Sequence, residues 1–245
     1  MFKGTILCIN RTEAIRRAGT YLSDMGLTVT DKPAPDVTHL LLPVPSFTSG
    51  DEYLAHILAE LPDNVIIFGG NLSSLLLENY ATVDFLQDSY YLAENAAITA
   101  KCALEIVEKN STDSLEGTCV LILGWGRIGK CLCRLLEKKG CRISVAARKE
   151  ADRAMVHTLG WQSIPIHKIE KELRHFDVII NTVPEMILPH LDTKENAIIL
   201  ELASKPGMCG ENILNCRGLP NKMAPDASGE LIAKTFLRLS TGEEV

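Results

Sequence analysis

The stretch "VLILGWGRIGKCLCRLLEKKG", Val120–Gly140, decides the fold. The apolar run Thr118–Leu123 reads as a buried strand, and an amphipathic helix extends to Lys139. Between them lie three glycines spaced G-x-G-x-x-G, the context in which that spacing carries meaning. Gly124 permits the tight turn, and Gly126 lets the backbone approach a pyrophosphate. Gly129 allows the helix to pack closely on the strand, and the helix N-terminus faces the anion. Trp125, Arg127 and Ile128 complete this candidate cofactor loop. The alternative is a glycine turn that holds no ligand.

The next strand, Arg142–Ala147, ends in Ala146-Ala147-Arg148-Lys149. A site for NAD usually carries Asp or Glu about 20 residues past the loop, bonded to the ribose 2′-hydroxyl. Here Ala147 closes the strand and two cations open the turn. An arginine there can stack on adenine and pair with a 2′-phosphate, with Lys149 adding charge. NADP(H) is therefore the expected cofactor. A solvated basic turn is the alternative, and Glu150 takes the acidic role if the turn is shifted.

Two later buried strands, Val178–Asn181 and Ala197–Leu202, bring their carboxyl ends to the same crevice, where open α/β sheets bind ligands. "VIINTVPEMIL" supplies Asn181, Thr182, Val183 and Pro184, and "IILELASKPG" supplies Leu202, Ala203, Ser204 and Gly207. Small polar residues at these places leave room for a nicotinamide ring and offer hydrogen bonds. They also serve as ordinary strand-to-loop punctuation.

Helical patterns at Ala151–Leu159 and His167–Leu173 complete this second half. In the first half, apolar runs at Thr5–Ile9, His39–Leu42, Val65–Phe68 and Thr82–Phe85 alternate with helical patterns at Glu13–Met25, Asp51–Leu61 and Ser73–Asn79. The segment Ser89–Asn110 has helical spacing with no Pro or Gly and reads as a long helix between halves. The expected architecture is α/β with two Rossmann-like domains. A smaller N-terminal substrate domain, 1–94, regains the C-terminal helix in 226–245. An interdomain helix at 95–112 leads to the dinucleotide-binding domain, 113–225.

Composition narrows the function class. The 245 residues carry a net charge of −6, which leaves no basic footprint for nucleic acid. Hydrophobic content of 46% with 23% charged residues fits a folded globular chain. No apolar run reaches bilayer length, and "MFKGTILCIN" lacks a signal-peptide layout. The eight cysteines form neither a C-x-x-C pair nor a Cys/His ligand cluster, so reduced thiols in a cytoplasmic protein, with no metal, are expected.

In order and spacing, "VLILGWGRIGKCL", "VAARK", "DVIINTVP", "LELASKPG" and "GLPNKMAPDASGELI" resemble the A-type subunits of the dipicolinate synthase family. "LAENAAITAKCAL" and, more loosely, "HLLLPVP" extend the resemblance toward the N-terminus. It implies a two-domain fold distantly related to D-2-hydroxyacid dehydrogenases. It also implies the NADP-dependent half of an enzyme that aromatises a dihydrodipicolinate-type cyclic dicarboxylate for sporulation. A flavoprotein-like B-type subunit is the implied partner, and a homo-oligomer is expected. The implied substrate lies in the interdomain cleft, held by Asn95 and Thr99 on one side and Asn181, Thr182 and Ser204 on the other. Arg148 meets the 2′-phosphate. The loop Pro43–Gly50, with Pro45 and Ser46, offers N–H groups to a carboxylate.

The chain departs from the family pattern at three places. Lys101-Cys102 replace Glu-Gly, Pro206-Gly207-Met208 replaces Pro-Gly-Gly, and Asn221 stands where Leu-Pro-Gly-Lys has glycine. These changes spare the cofactor loop and bear on the substrate side. A non-catalytic NAD(P)-binding subunit or sensor with an altered pocket is the alternative function. No histidine is an evident catalyst: His157, His167 and His175 read as surface or packing residues, and only His190 is placed near the cleft. Hydride transfer to an aromatising ring needs little beyond positioning, which suits this inventory. Lys205 stands where a D-2-hydroxyacid dehydrogenase needs Arg, and no Lys–Asp pair of the shikimate type occurs in the first half.

Overall fold

The chain is described by a computed structural model over residues 2–47, 51–75 and 77–242. It divides into two compact units, Met1–Asn95 with Pro220–Val245, and Ala96–Leu219.

The first unit holds strands β1 (Thr5–Cys8), β2 (Thr28–Thr30), β3 (Val37–Leu41), β4 (Ile66–Gly69) and β5 (Ala81–Asp84). They form a parallel sheet in the order β2-β1-β3-β4-β5. Parallel strands buried on both faces read as near-continuous apolar runs, as in β4, "IIFG". Helices α1 (Glu13–Asp24) and α2 (Glu52–Ala59) follow β1 and β3, capped by the side chains of Thr12 and Asp51. The helical pattern expected at Ser73–Asn79 shrinks to one 3-10 turn, Leu72–Ser74. The Asp84 carboxylate accepts the N–H groups of Asn71, Leu72 and Leu86 there, while Leu72, Leu75 and Leu77 enter the core. Thr48–Gly50 of the proposed Pro43–Gly50 loop lie outside the described residues.

Helix α3 (Ser89–Asn110) has the bounds its sequence predicts, and the boundary between the units falls within it. In the second unit, β6 (Cys119–Leu123), α4 (Arg127–Glu137), β7 (Arg142–Ala147), α5 (Glu150–Thr158) and β8 (Gln162–Pro165) precede β9 (Val178–Asn181), β10 (Ile198–Glu201) and β11 (Ile213–Asn215). Their order is β11-β10-β9-β6-β7-β8, all parallel. This is the dinucleotide-binding order, in which chain direction across the sheet reverses between β6 and β9. The expected helix at His167–Leu173 is a 3-10 tract, Ile166–His175, that buries Ile169 and Leu173.

The chain then enters α6 (Leu219–Met223) and α7 (Pro225–Thr241). Helix α7 crosses α1 at Gly229, where a Cβ would stand 2.7 Å from the Ala14 carbonyl oxygen and 2.9 Å from the Ala18 nitrogen. Farther along, Arg238 donates to the Asp88 carboxylate at 2.6 Å, and Asp88 also accepts the Tyr91 N–H at the start of α3. Burial alone would raise the Asp88 carboxyl. The hydrogen bond and charge of Arg238, with the Tyr91 and Tyr90 N–H groups, outweigh it and hold the pKa below the ordinary value.

Asp88→Asn is therefore expected to cost about 1.5–2 kcal/mol at neutral pH, because a charge-assisted bond to a largely buried arginine becomes neutral. A carboxyl depressed in the folded state contributes stability that is complete above its unfolded pKa, about 3.9, and fades as pH falls through the folded value. Urea unfolding at a series of pH values checks this: the gap between wild type and variant should begin to narrow below about pH 4 and keep closing in stronger acid. A gap that persists in acid would assign the effect to shape alone.

Candidate dinucleotide site

At the carboxyl end of β6 the chain turns at Gly124, whose φ of 101° lies in the left-handed region open to glycine. A Cβ there would approach Thr182 Oγ1 and Val183 Cγ2 to 2.7 Å, so this glycine lets the loop after β9 lie against the turn. Thr182 fixes that loop by donating its hydroxyl to Leu123 O at 2.8 Å. Gly129 sits beneath, where a Cβ would collide with the Gly124 carbonyl oxygen.

Gly126 is the N-cap of α4, with no side chain capping the helix. A Cβ built on Gly126 would meet nothing within 4 Å. The first N–H groups of α4 thus face open space without a side-chain acceptor, the arrangement that receives a phosphate.

A cavity of about 550 Å³ opens above this turn, within the range of small-molecule sites. Gly124, Trp125 and Gly126 form one wall, Ala147, Arg148 and Lys149 another, and Thr182, Val183 and Pro184 a third. The residues present fit a dinucleotide: uncommitted donors at a helix start, an open groove and cations at the far strand end. Arg127, Ile128 and Gly129 support the loop from α4 and do not line the cavity. Leu202 and Ala203 also stand off it, buried at the end of β10.

The structure adds lining residues that the motif does not contain. Glu150, considered for the acidic role, is absent from the wall, and Asp152 in the first turn of α5 takes a place there. Glu185 reaches Arg148 at 3.4 Å, with the two side chains 66% and 73% exposed. Such an exposed pair is worth about 0–1 kcal/mol, so it leaves Arg148 free to exchange partners. His167, which the sequence reads as a surface or packing residue, lines the cavity, and the exposed His190 does not. The chain's two tryptophans meet beside the loop: Trp125 and Trp161 stack edge to face at 5.7 Å, and Lys130 Nζ lies 5.6 Å from the Trp125 ring.

Behind the cavity is a buried polar cluster with no sequence motif. Glu201, 2% exposed, accepts Asn181 Nδ2 at 2.8 Å and Ala203 N at 3.1 Å on one oxygen, and Gly207 N at 2.8 Å on the other. Asn181 also donates to Val183 O and accepts Val183 N, each at 3.0 Å. Gly207 is wedged between the loops, where a Cβ would stand 2.8 Å from Glu185 O and 2.9 Å from Val183 O. The Gly207 carbonyl accepts Ile187 N and Leu188 N, at 2.8 and 3.0 Å. The loops after β9 and β10 are therefore joined into one plate.

The substrate-side candidates divide accordingly. Asn181 is fully buried and its amide is engaged in the plate, so it shapes the wall where a direct contact had been expected. Ser46 likewise donates to Pro43 O at 2.9 Å and accepts Gly70 N at 3.0 Å, tying the loop after β3 to that after β4. Ser204 and Pro45 are exposed, Thr99 is buried and Asn95 half-buried. Of the departures from the family pattern, Lys101 is exposed. Cys102 is buried, and that burial, with Glu105 nearby, pushes its thiol up. Met208 fills the core under the β9 loop, and Asn221 Nδ2 donates to Val44 O at 3.2 Å.

The reversing parallel sheet, the glycine turn and the cavity together make the second unit a dinucleotide-binding domain of the dehydrogenase type. The profile of the Shikimate / quinate 5-dehydrogenase family matches residues 105–197, within the second unit. The A-type subunit of dipicolinate synthase from Bacillus subtilis (strain 168) is 25% identical over 236 residues, 84% of this chain and 79% of that one. The crystal structure of that synthase component from Bacillus subtilis shares the fold with a TM-score of 0.80 at 22% identity, over 100% of this chain and 99% of that one. Its counterpart from Bacillus halodurans superposes with a TM-score of 0.79 at 20% identity, over 96% of each chain. The chain is a divergent relative of the dipicolinate synthase A-type subunits.

Among the described residues no helix is long and apolar enough to cross a membrane, and no group of three or more His, Cys, Asp or Glu could hold a metal ion. Among the described residues no cysteine takes part in a disulfide.

Proposed function

We propose that this chain is an NADP-dependent dehydrogenase component that oxidises a dihydrodipicolinate-type cyclic dicarboxylate to dipicolinate, working with a flavoprotein-like B-type subunit. The observation that carries the cofactor half is the end of β7, where Arg148 and Lys149 stand on the cavity wall and no carboxylate closes the strand. The relatives' identity supports the substrate half.

Bound NADP⁺ supplies the hydride acceptor, and aromatisation releases one hydride and one proton from the ring. The chain's own residues bind and orient. The start of α4 receives the pyrophosphate, and Arg148 leaves Glu185 for the 2′-phosphate. This exchange is favourable, because a charge-assisted bond to phosphate is worth about 1.5–3 kcal/mol against at most about 1 for the exposed pair. The plate held by Glu201 presents Thr182 and Val183 to the nicotinamide end. Ser204, Asn95 and Thr99 are the proposed substrate contacts, and the proton leaves to solvent.

Arg148→Ala is expected to weaken NADPH binding roughly 10- to 50-fold while changing NADH binding by less than about 3-fold. Calorimetric titration with both cofactors checks it, and equal losses would refute the 2′-phosphate role. A mixture of this chain, NADP⁺, the B-type partner and dihydrodipicolinate should form dipicolinate. NADPH binding with no turnover would favour the non-catalytic sensor instead.

A further inference from the structure

The topology of the first unit marks a ligand-binding edge of its own. Its strand order, β2-β1-β3-β4-β5, is that of the flavodoxin-like sheets, which bind ligands where the order reverses, outside the carboxyl ends of β1 and β3. Three residues past β1 stands Arg11, an exposed cation at that edge. Its guanidinium carbon lies 4.2 Å from the Tyr53 ring centroid and 5.0 Å from that of Phe47. Phe47 belongs to the loop after β3 and Tyr53 to the first turn of α2. Arg11 thus bridges the loops after β1 and β3.

The contact geometry leaves the arginine underused. Nη1 reaches the Asp51 carboxylate at 3.4 Å, a long contact, and that carboxylate already caps α2 through its other oxygen. Nε and Nη2 donate to nothing among the described residues. A cation–π contact uses the charge of a guanidinium without consuming its N–H donors, and a carboxylate matches that fork with two parallel bonds. The exposed Tyr53 ring beside it offers an apolar surface to a planar ring bearing the carboxylate.

We infer that Arg11 is a carboxylate-binding residue, and that the β1/β3 edge of the first unit takes one carboxylate of a planar ring acid. This rests on the reading of the substrate as a cyclic dicarboxylate and assigns the residue that recognises it. The test uses the full chain saturated with NADPH and calorimetric titration with pyridine-2,6-dicarboxylate and with benzoate. Arg11→Ala should weaken the ring acids roughly 10- to 50-fold and leave NADPH affinity unchanged. Because Arg11 also touches Asp51, Arg11→Lys provides a second variant. It keeps the charge and stem but loses the fork, and should bind more weakly than wild type and more tightly than Arg11→Ala.

If the wild type binds pyridine-2,6-dicarboxylate and both variants bind it equally well, the inference is overturned while the substrate reading stands. Should the wild type bind benzoate but not the dicarboxylate, and lose benzoate on Arg11 substitution, the inference holds and the substrate reading fails. A wild type that binds neither acid overturns the inference.

Discussion

Glu201→Ala is expected to destabilise the second unit by about 3–5 kcal/mol, because it removes the acceptor of a buried cluster and leaves its donors unpaired. Three N–H groups lose their acceptor in the interior: the Asn181 amide, Ala203 and Gly207. Each orphaned buried donor costs about 1–3 kcal/mol, and partial relaxation of the loops keeps the total below the sum. Glu201→Gln is the sharper probe. Its one carbonyl oxygen can retain Asn181 and Ala203, but its NH₂ then faces the Gly207 N–H, so a loss of about 1.5–2 kcal/mol is expected. Urea unfolding measures both variants. The loops joined by Glu201 also form the cavity wall at Thr182–Ile187, so NADPH affinity should fall although Glu201 does not line the cavity. A change under about 1 kcal/mol for the alanine variant would show that other groups serve those donors.

Gly129→Ala is expected to weaken NADPH binding roughly 10- to 100-fold, the loss that follows when one charge-assisted hydrogen bond to the pyrophosphate is displaced. The added Cβ meets backbone, the Gly124 carbonyl oxygen, with the carbonyl carbon 3.3 Å away, and no flexible side chain can move aside. Helix α4 must lift from β6, carrying with it the N–H groups that receive the pyrophosphate. Stability should drop by about 1–3 kcal/mol, the usual cost of overpacking. Gly126→Ala is the control, since a Cβ there meets only open space and the free fold should be nearly unaffected. Full NADPH affinity in Gly129→Ala would separate the glycine turn from cofactor binding.

Much of the second unit could be read from sequence because its signals are local. The run "RISVAA" marks β7, "VIIN" marks β9, and the glycine spacing marks the turn, since each strand is buried on both faces. The uninterrupted helical spacing of Ser89–Asn110 likewise fixed both ends of α3. Strands β2, "TVT", and β11, "ILN", escaped because they are three-residue edges with no continuous apolar run. The site was legible where the motif itself lines it. Asp152 and His167 come from α5 and the 3-10 tract after β8, and only the folded sheet brings them to the glycine turn. The Glu201–Asn181 bond spans two strand ends 20 residues apart, and no spacing rule singles out a glutamate within "IILE".

The pairing of Trp125 with Trp161 has an optical consequence. Both of the chain's indoles belong to the second unit, one of them on the cavity wall, while the first unit has none. Tryptophan emission excited at the red edge, beyond the tyrosine band, is thus a one-sided signal; ordinary excitation would also light the five tyrosines, all of which lie in the first unit. Circular dichroism sums over both halves, so comparing the two signals during denaturation separates the melting of one unit from that of the whole.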